Sequence, residues 1–362
     1  MSRISRLQTA LQNADIDAVA LVPGANLTYL LGLSLHASER LAIAFCTAEG
    51  EVHVVLPALE QPRAEAEVRV PATFYPWTDA EGYQTALGKC LDVLELDGLL
   101  GVEYTAMRVL ELRAIEDAYA IATVDALPVL GQLRMRKDAD ELAAMRRAVT
   151  AVEAGLTAAI AFIRPGVTER AVAEVWDAAM RAAGAEAPSF GTSVASGPNS
   201  ANPHHSLGDR VLQAGDPVIL DGGARVGHYC SDITRTVAVG EIDPELQRIY
   251  DLVLEANRAG VAAVTAGATG AQIDAAARTV ITAGGYGPHF VHRTGHGLGI
   301  EVHEPPYINA TETMPLPVGA TFTIEPGIYL PGKGGVRIED DVVITETGGE
   351  SLTTFRRDLI HR

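Results

Sequence analysis

Two stretches of this chain repeat each other, and that repetition constrains the fold more than any other feature. Pro165-Gly166-Val167-Thr168 precedes a helix-like stretch ending at Gly184; Ala266-Gly267-Ala268-Thr269 precedes another ending at Gly285, 101 positions further on. Val172 falls on Ile273, Met180 on Ile281 and, after a one-residue slip, Phe190 on Phe290. Asp221 then pairs with Glu325, and Asp232 with Glu339, at slightly larger offsets. The C-terminal part of the chain is therefore read as an internal duplication. Each half is a helix pair followed by antiparallel strands, and each supplies two carboxylates to a site between them.

Those four acids, with His296, stand in short turn-rich contexts. They are Leu220-Asp221-Gly222-Gly223, Ser231-Asp232-Ile233-Thr234-Arg235-Thr236, Gly295-His296-Gly297-Leu298-Gly299, Glu325-Pro326-Gly327 and Arg337-Ile338-Glu339-Asp340. Apolar runs lead into three of the acids: Val218-Ile219-Leu220, Phe322-Thr323-Ile324 and Val336-Arg337-Ile338. An acid that ends or crosses an apolar strand is costly to bury alone, so it wants a cation. One such acid would read as a solvated strand end; the whole set reads as a metal centre. Four carboxylates and an imidazole are too many ligands for one tetrahedral zinc. They suit two adjacent ions with shared carboxylates, and oxygen-rich donors favour Mn²⁺, with Co²⁺ or Zn²⁺ also able to bind.

The chain ahead of the repeat has another rhythm. Ile4, Leu7 and Leu11 share one face of a short helix, residues 15–22 read as a strand stopped by Pro23-Gly24, and residues 27–31 as a helix ended by Gly32. Strand-like runs follow over 41–45 and 52–56, with Gly50 in the turn between them. Alternating β and α segments argue for a small α/β domain over 1–130, and a catalytic domain over 131–362. The first domain has no dense cluster of catalytic residue types. Residues 134–161, charged at first and then Ala-rich, predict one long helix.

At 362 residues the chain is long enough for two cores. A net charge of −18 argues against nucleic-acid binding. No apolar run approaches the ~20 residues that span a bilayer. Arg3 and Arg6 are followed by no apolar segment of the secretory kind. Cys46, Cys90 and Cys230 are odd in number and far apart. They read as buried thiols of a reducing compartment, so the protein is expected in the cytoplasm.

The pairing of Ser231-Asp232-Ile233-Thr234-Arg235-Thr236 with Arg337-Ile338-Glu339-Asp340-Asp341 resembles the pita-bread metallopeptidases, the Xaa-Pro branch (prolidase and aminopeptidase P) in particular. The resemblance covers essentially the whole chain. It implies an α/β N-terminal domain and an α+β pita-bread catalytic domain of pseudo-twofold symmetry, with the site in its central groove. It also implies a homodimer, and two divalent ions: Asp221 on one, His296 and Glu325 on the other, Asp232 and Glu339 bridging. Such ions bring a water to ionise near neutral pH and so supply the nucleophile. Glu325 is then the group that takes the water's proton and returns it to the leaving nitrogen. His204, seventeen residues before Asp221, His292 and His303 are implied to line the pocket, with His204 and His292 nearest the scissile carbonyl. Arg337 shares a face with Glu339 at strand spacing and matches the family's arginine that steadies the bridging acids. Tyr329 is a further pocket candidate. Asp340 reads as structural or solvated, and His205, His228 and His289 as ordinary histidines.

The expected activity is hydrolysis of the Xaa-Pro bond of a proline-containing peptide, foremost of dipeptides, with aminopeptidase P action on longer peptides as the alternative. A non-catalytic peptide-binding relative is disfavoured because every ligand is present. Methionine aminopeptidase lacks a domain like 1–130, and creatinase does not need this metal set. A dipeptidase must recognise the free carboxylate of the proline, which calls for a cation at the far end of the pocket. Some prolidases place an Arg four residues beyond the histidine equivalent to His303; here that residue is Tyr307. Arg40, in Ser38-Glu39-Arg40, is the candidate to replace it.

Overall fold

The computed structural model describes residues 2–362. It divides into two compact units, Met1–Arg134 and Met135–Arg362.

The first unit is an α/β layer structure. Its strands are β1 (Ala18–Leu21), β2 (Ile43–Thr47), β3 (Val52–Pro57), β4 (Thr73–Trp77), β5 (Leu99–Val102) and β6 (Ala122–Asp125). They form one mixed sheet in the order β4-β3-β2-β1-β5-β6. β1, β2 and β3 are buried along their whole length, so both faces of the sheet centre are covered. The helices are α1 (Arg3–Asn13), α2 (Ala25–Leu31), α3 (Gln61–Glu67), α4 (Gln84–Leu94), α5 (Val109–Ala118) and α6 (Leu127–Met135). Leu7 and Leu11 anchor α1, Gly32 closes α2 in the left-handed conformation, and Gly50 turns the β2–β3 hairpin.

The second unit repeats one supersecondary plan. Its first half runs α7 (Ala139–Phe162), α8 (Glu169–Ala182), β7 (Ala187–Pro188), β8 (Ser193–Ser196), β9 (Pro217–Gly222), β10 (Ala224–Val226), β11 (Tyr229–Cys230) and β12 (Ile233–Ala238). The second runs α9 (Pro244–Ala262), α10 (Gly270–Ala283), β13 (Gly295–Gly297), β14 (Glu304–Ile308), β15 (Thr321–Ile324), β16 (Gly327–Leu330), β17 (Gly334–Arg337) and β18 (Asp340–Thr345). β19 (Gly348–Ser351) and β20 (Ile360–His361) complete two sheets, β20-β12-β9-β8 and β14-β13-β15-β18-β19. β9 pairs antiparallel with β12 as β15 does with β18.

The duplication read from the sequence reaches down to single bonds. Thr168 caps α8 by accepting from the Ala171 amide, and Thr269 caps α10 by accepting from the Gln272 amide. The loop ahead of each helix is tied in the same way: Gly166 N–H bonds the Leu212 carbonyl, and Gly267 N–H the Leu316 carbonyl. Gly166 and Gly267 both have φ near +85°, at 92° and 80°, which a side chain would strain. Val172 and Ile273, and Met180 and Ile281, are fully buried in matching places.

One expectation is corrected. Residues 134–161 do not form a single helix: α6 ends at Met135 and α7 begins at Ala139. Asp138 caps α7, accepting from the Asp140 and Glu141 amides, while Glu141 accepts from the Asp138 amide. This reciprocal box stops α6 and α7 from fusing. Among the described residues no helix is long and apolar enough to cross a membrane, and the three thiols are free and buried.

Candidate active site

The ends of the matched strands in the second unit converge on a cavity of about 610 Å³. Its lining includes Asp221, Asp232, His296, Glu325 and Glu339, together with His204, His292, His303, Arg293 and Arg337. Asp221 lies on β9 directly opposite Thr234 of β12. Glu325 directly follows β15, and its amide is held by the Thr294 carbonyl at 2.7 Å.

Ligand atoms of Asp232, His296 and Glu339 all lie within 4.8 Å of one another. The His296 Nδ1–H donates to the Gly297 carbonyl (3.2 Å), since a carbonyl can only accept, which leaves the Nε2 lone pair facing the acids. Nε2 stands 3.8 Å from Asp232 Oδ2 and 3.5 Å from Glu325 Oε1. Burial drives this imidazole's pKa down to about 3, so it is neutral and able to ligate. Asp232 and Glu339 are pushed well above the carboxylate range, first by burial and then by the neighbouring acids. Burial lifts Glu325 to about 7 against the opposing pull of Arg337. Asp232 Oδ1 is buried and has no hydrogen-bond partner among the described residues. A cluster of desolvated acids, an orphaned carboxylate oxygen and a neutral imidazole is what a divalent cation would satisfy. Asp232, His296 and Glu339 fit a site for a metal ion.

Arg337 braces this cluster from one side. It donates to Asp221 Oδ2 (2.6 Å), the Tyr329 hydroxyl (2.9 Å) and Thr234 Oγ1 (3.1 Å). Thr234 in turn donates to Glu339 Oε2 at 2.6 Å. A second network lies behind. The Asp232 amide bonds Asp341 Oδ2, and Asp340 is fully buried between Arg235 and Arg357. Asp340 is thus structural, the first of the two readings open to it.

Three other placements refine the reading of the sequence. His292 lines the cavity, but both of its ring nitrogens are engaged. Nδ1–H donates to the Arg293 carbonyl (2.7 Å), so Nε2 accepts from the Tyr329 hydroxyl (2.9 Å), and burial lowers the ring's pKa to about 4. Tyr329 is itself buried and is not among the lining residues; it links His292 to Arg337. Arg40 belongs to the first unit, where its guanidinium is bonded twice to Asp79 and once to Glu39. His204 is exposed at the cavity wall, and His303 sets its ring edge-on to His296 at 4.1 Å. His205, by contrast, bonds the buried Glu169 at 3.0 Å.

Sequence reasoning passed over Arg293, Thr234 and Asp341. Thr234 was legible in principle, two residues after Asp232 on a strand and so on the same face. Arg293 carries no such signal.

The chain matches two known families. Residues 143–346 match the metallopeptidase family M24, and residues 3–136 match the creatinase/prolidase N-terminal domain. The chain belongs to the M24 metallopeptidases. It is 35% identical to the Xaa-Pro dipeptidase of Pyrococcus furiosus over 99% of both chains. A dipeptidase from Pyrococcus horikoshii OT3 superposes with a TM-score of 0.94 at 40% identity, covering 99% of this chain and 100% of that one. An X-Pro aminopeptidase from Thermotoga maritima gives a TM-score of 0.88 at 33% identity over the whole of both chains. This M24 enzyme is therefore a pita-bread peptidase, metal-dependent as its family is, that acts on peptides.

Proposed function

We propose that the enzyme hydrolyses the Xaa-Pro bond of dipeptides, a prolidase activity. The observation that carries the reading is the convergence of Asp221, Asp232, His296, Glu325 and Glu339 on one cavity in a chain alike throughout to an Xaa-Pro dipeptidase. Asp221 would serve one ion, His296 and Glu325 the other, and Asp232 and Glu339 both. An oxygen-rich set of this kind favours Mn²⁺. When bound, such ions supply Lewis acidity that lowers the pKa of water and polarises a carbonyl.

The side chains divide the remaining work. Glu325 takes the proton of the attacking water at a carboxylate oxygen and delivers it to the proline nitrogen as the bond breaks. His204 and His303, whose rings face the cavity, hydrogen-bond the peptide. His292 serves by position: its nitrogens are committed to Tyr329 and Arg293, so it stiffens the wall that Arg337 also supports. Arg337 bonds Asp221, opposing the rise that burial gives its pKa, and fixes Glu339 through Thr234. The reading extends to a cytoplasmic homodimer. Free buried thiols suit a reducing compartment, and the dimer follows from the family resemblance.

Glu325→Gln tests the proton-transfer role. The substitution keeps the size and one ligating oxygen but cannot accept a proton. Turnover of Ala-Pro should fall by about 100-fold or more while the bound metal stays close to wild type. Normal turnover in the Gln variant would remove Glu325 from the mechanism.

A further inference from the structure

We propose that Asn257 is a positioning residue of the metal centre: its side-chain amide holds in place the two peptide units that deliver Glu325 and Glu339. The inference rests on the ligand set proposed above and adds to it a residue of α9 that is not itself a ligand.

Asn257 is fully buried in α9. Its Nδ2 lies 3.1 Å from the Ile324 carbonyl, 3.4 Å from the Ile338 carbonyl and 3.0 Å from Asp340 Oδ2. All three partners are acceptors, so the atom facing them is the amide nitrogen and not the oxygen. Ile324 and Ile338 are the residues immediately before Glu325 and Glu339. The N–H at the other end of each of these peptide units is also taken. Glu325 donates to the Thr294 carbonyl (2.7 Å) and Glu339 to the Thr234 carbonyl (3.1 Å). A peptide unit is planar, so a bond at each end fixes the plane and with it the direction in which the next side chain leaves the backbone. Asn257 is common to both planes and ties each to the other.

The internal repeat shows what this position holds when no such tie is needed. At the offset of 101 that relates the halves, Asn257 falls on Leu156, which is fully buried in the apolar core of the first half. Asn257 carries a cost that a leucine avoids, because its Oδ1 is buried with no hydrogen-bond partner among the described residues. What offsets that cost is the nitrogen's work on the two acids. Asp221, in the first half, lies inside the sheet, paired with Ser193 of β8 and Thr234 of β12. Glu325 stands just beyond β15, and Glu339 between β17 and β18. Strand pairing has ended at both, so a side chain supplies the bonds that the ladder gives Asp221. An ion shared by several carboxylates needs all their oxygens at ligand distance at once, so freedom in either peptide unit weakens its binding.

The test is Mn²⁺ binding by the whole protein, measured by equilibrium dialysis from the chelator-stripped state, with urea unfolding and Ala-Pro kinetics on the same samples. The variants are Asn257→Leu, which keeps the volume and removes the donor, and Asn257→Ser, which serves if the leucine variant does not fold. Ile249→Ala is the control, since it opens the core at a fully buried position two turns away on the same helix. Wild type should bind two ions. Both Asn257 variants should hold at least one of them about 10- to 100-fold less tightly. Their turnover should fall at limiting Mn²⁺ and recover as Mn²⁺ is raised, with the Ala-Pro KM unchanged. Ile249→Ala should lower the urea midpoint and leave Mn²⁺ affinity as in wild type. Wild-type affinity in the Asn257 variants would overturn the inference. So would an equal loss of affinity in Ile249→Ala, or a failure of both Asn257 variants to fold, either of which would make Asn257 a residue of the fold and not of the metal centre. In those cases the metal-dependent Xaa-Pro reading would stand. A wild type that binds fewer than two ions, or that cleaves no Ala-Pro, would instead sink that reading itself.

Discussion

The two halves of the catalytic unit share a backbone plan and differ in what holds it to the site. In the first half Glu169, at the start of α8, is fully buried and accepts from the Ser196 amide and hydroxyl, from Asn199 and from His205. It secures the segment that leads to His204. The matching residue in the second half is Gly270, where a side chain would run into the Tyr307 carbonyl 2.6 Å away. The brace there is Asp274, one turn further along α10. It accepts from Thr294, and its partner Arg278 donates to the carbonyls of Phe290 and His292. That secures the segment carrying His292, Arg293 and His296. The helix caps and paired strands have kept their equivalence, while the acids that tie helix to site have diverged with the side chains they serve.

Removing each brace tests that division. Asp274→Ala strips Arg278 and Thr294 of a buried partner and should destabilise the fold by about 2–3 kcal/mol, somewhat below the full cost of breaking a buried pair because Arg278 is one-third exposed. Glu169→Gln keeps part of its hydrogen bonding and should cost about 1.5–3 kcal/mol. Their kinetic signatures should differ: Asp274→Ala should raise the KM for Ala-Pro, through the cavity wall at His292 and Arg293, and Glu169→Gln should lower kcat, through His204. Urea unfolding and kinetics on the same samples read both. Identical kinetic changes in the two variants would mean that the braces do not serve separate segments.

Much of this arrangement was legible in the sequence. The acids and His296 stand out because polar residues interrupt apolar strand runs, and because the repeat pairs them two by two. The repeat was legible because Gly and Thr sit at fixed places ahead of each helix. The break between α6 and α7 was hidden by a continuous run of helix-forming residues, although Asp138 and Glu141 spell its cap. Arg293 was hidden for a different reason. It lines the cavity and lies over the Tyr307 ring, and no local pattern announces which arginine will lie over which ring. The engagement of both His292 nitrogens is likewise a tertiary fact, set by a tyrosine 37 positions away.

The smallest expected effect concerns the caps. Thr168→Ala and Thr269→Ala should each cost about 1 kcal/mol. The two should be nearly equal, because the threonines accept at 3.1 and 3.2 Å from corresponding amides. A large inequality in urea midpoints would show that the halves are less alike in energy than in geometry.

The most direct measurement follows metal content and Ala-Pro hydrolysis together in one preparation, first stripped by a chelator and then titrated with Mn²⁺. Activity should vanish on stripping and return as metal is bound, reaching its plateau at two ions per chain. Full Ala-Pro hydrolysis by protein with no bound metal would contradict the account.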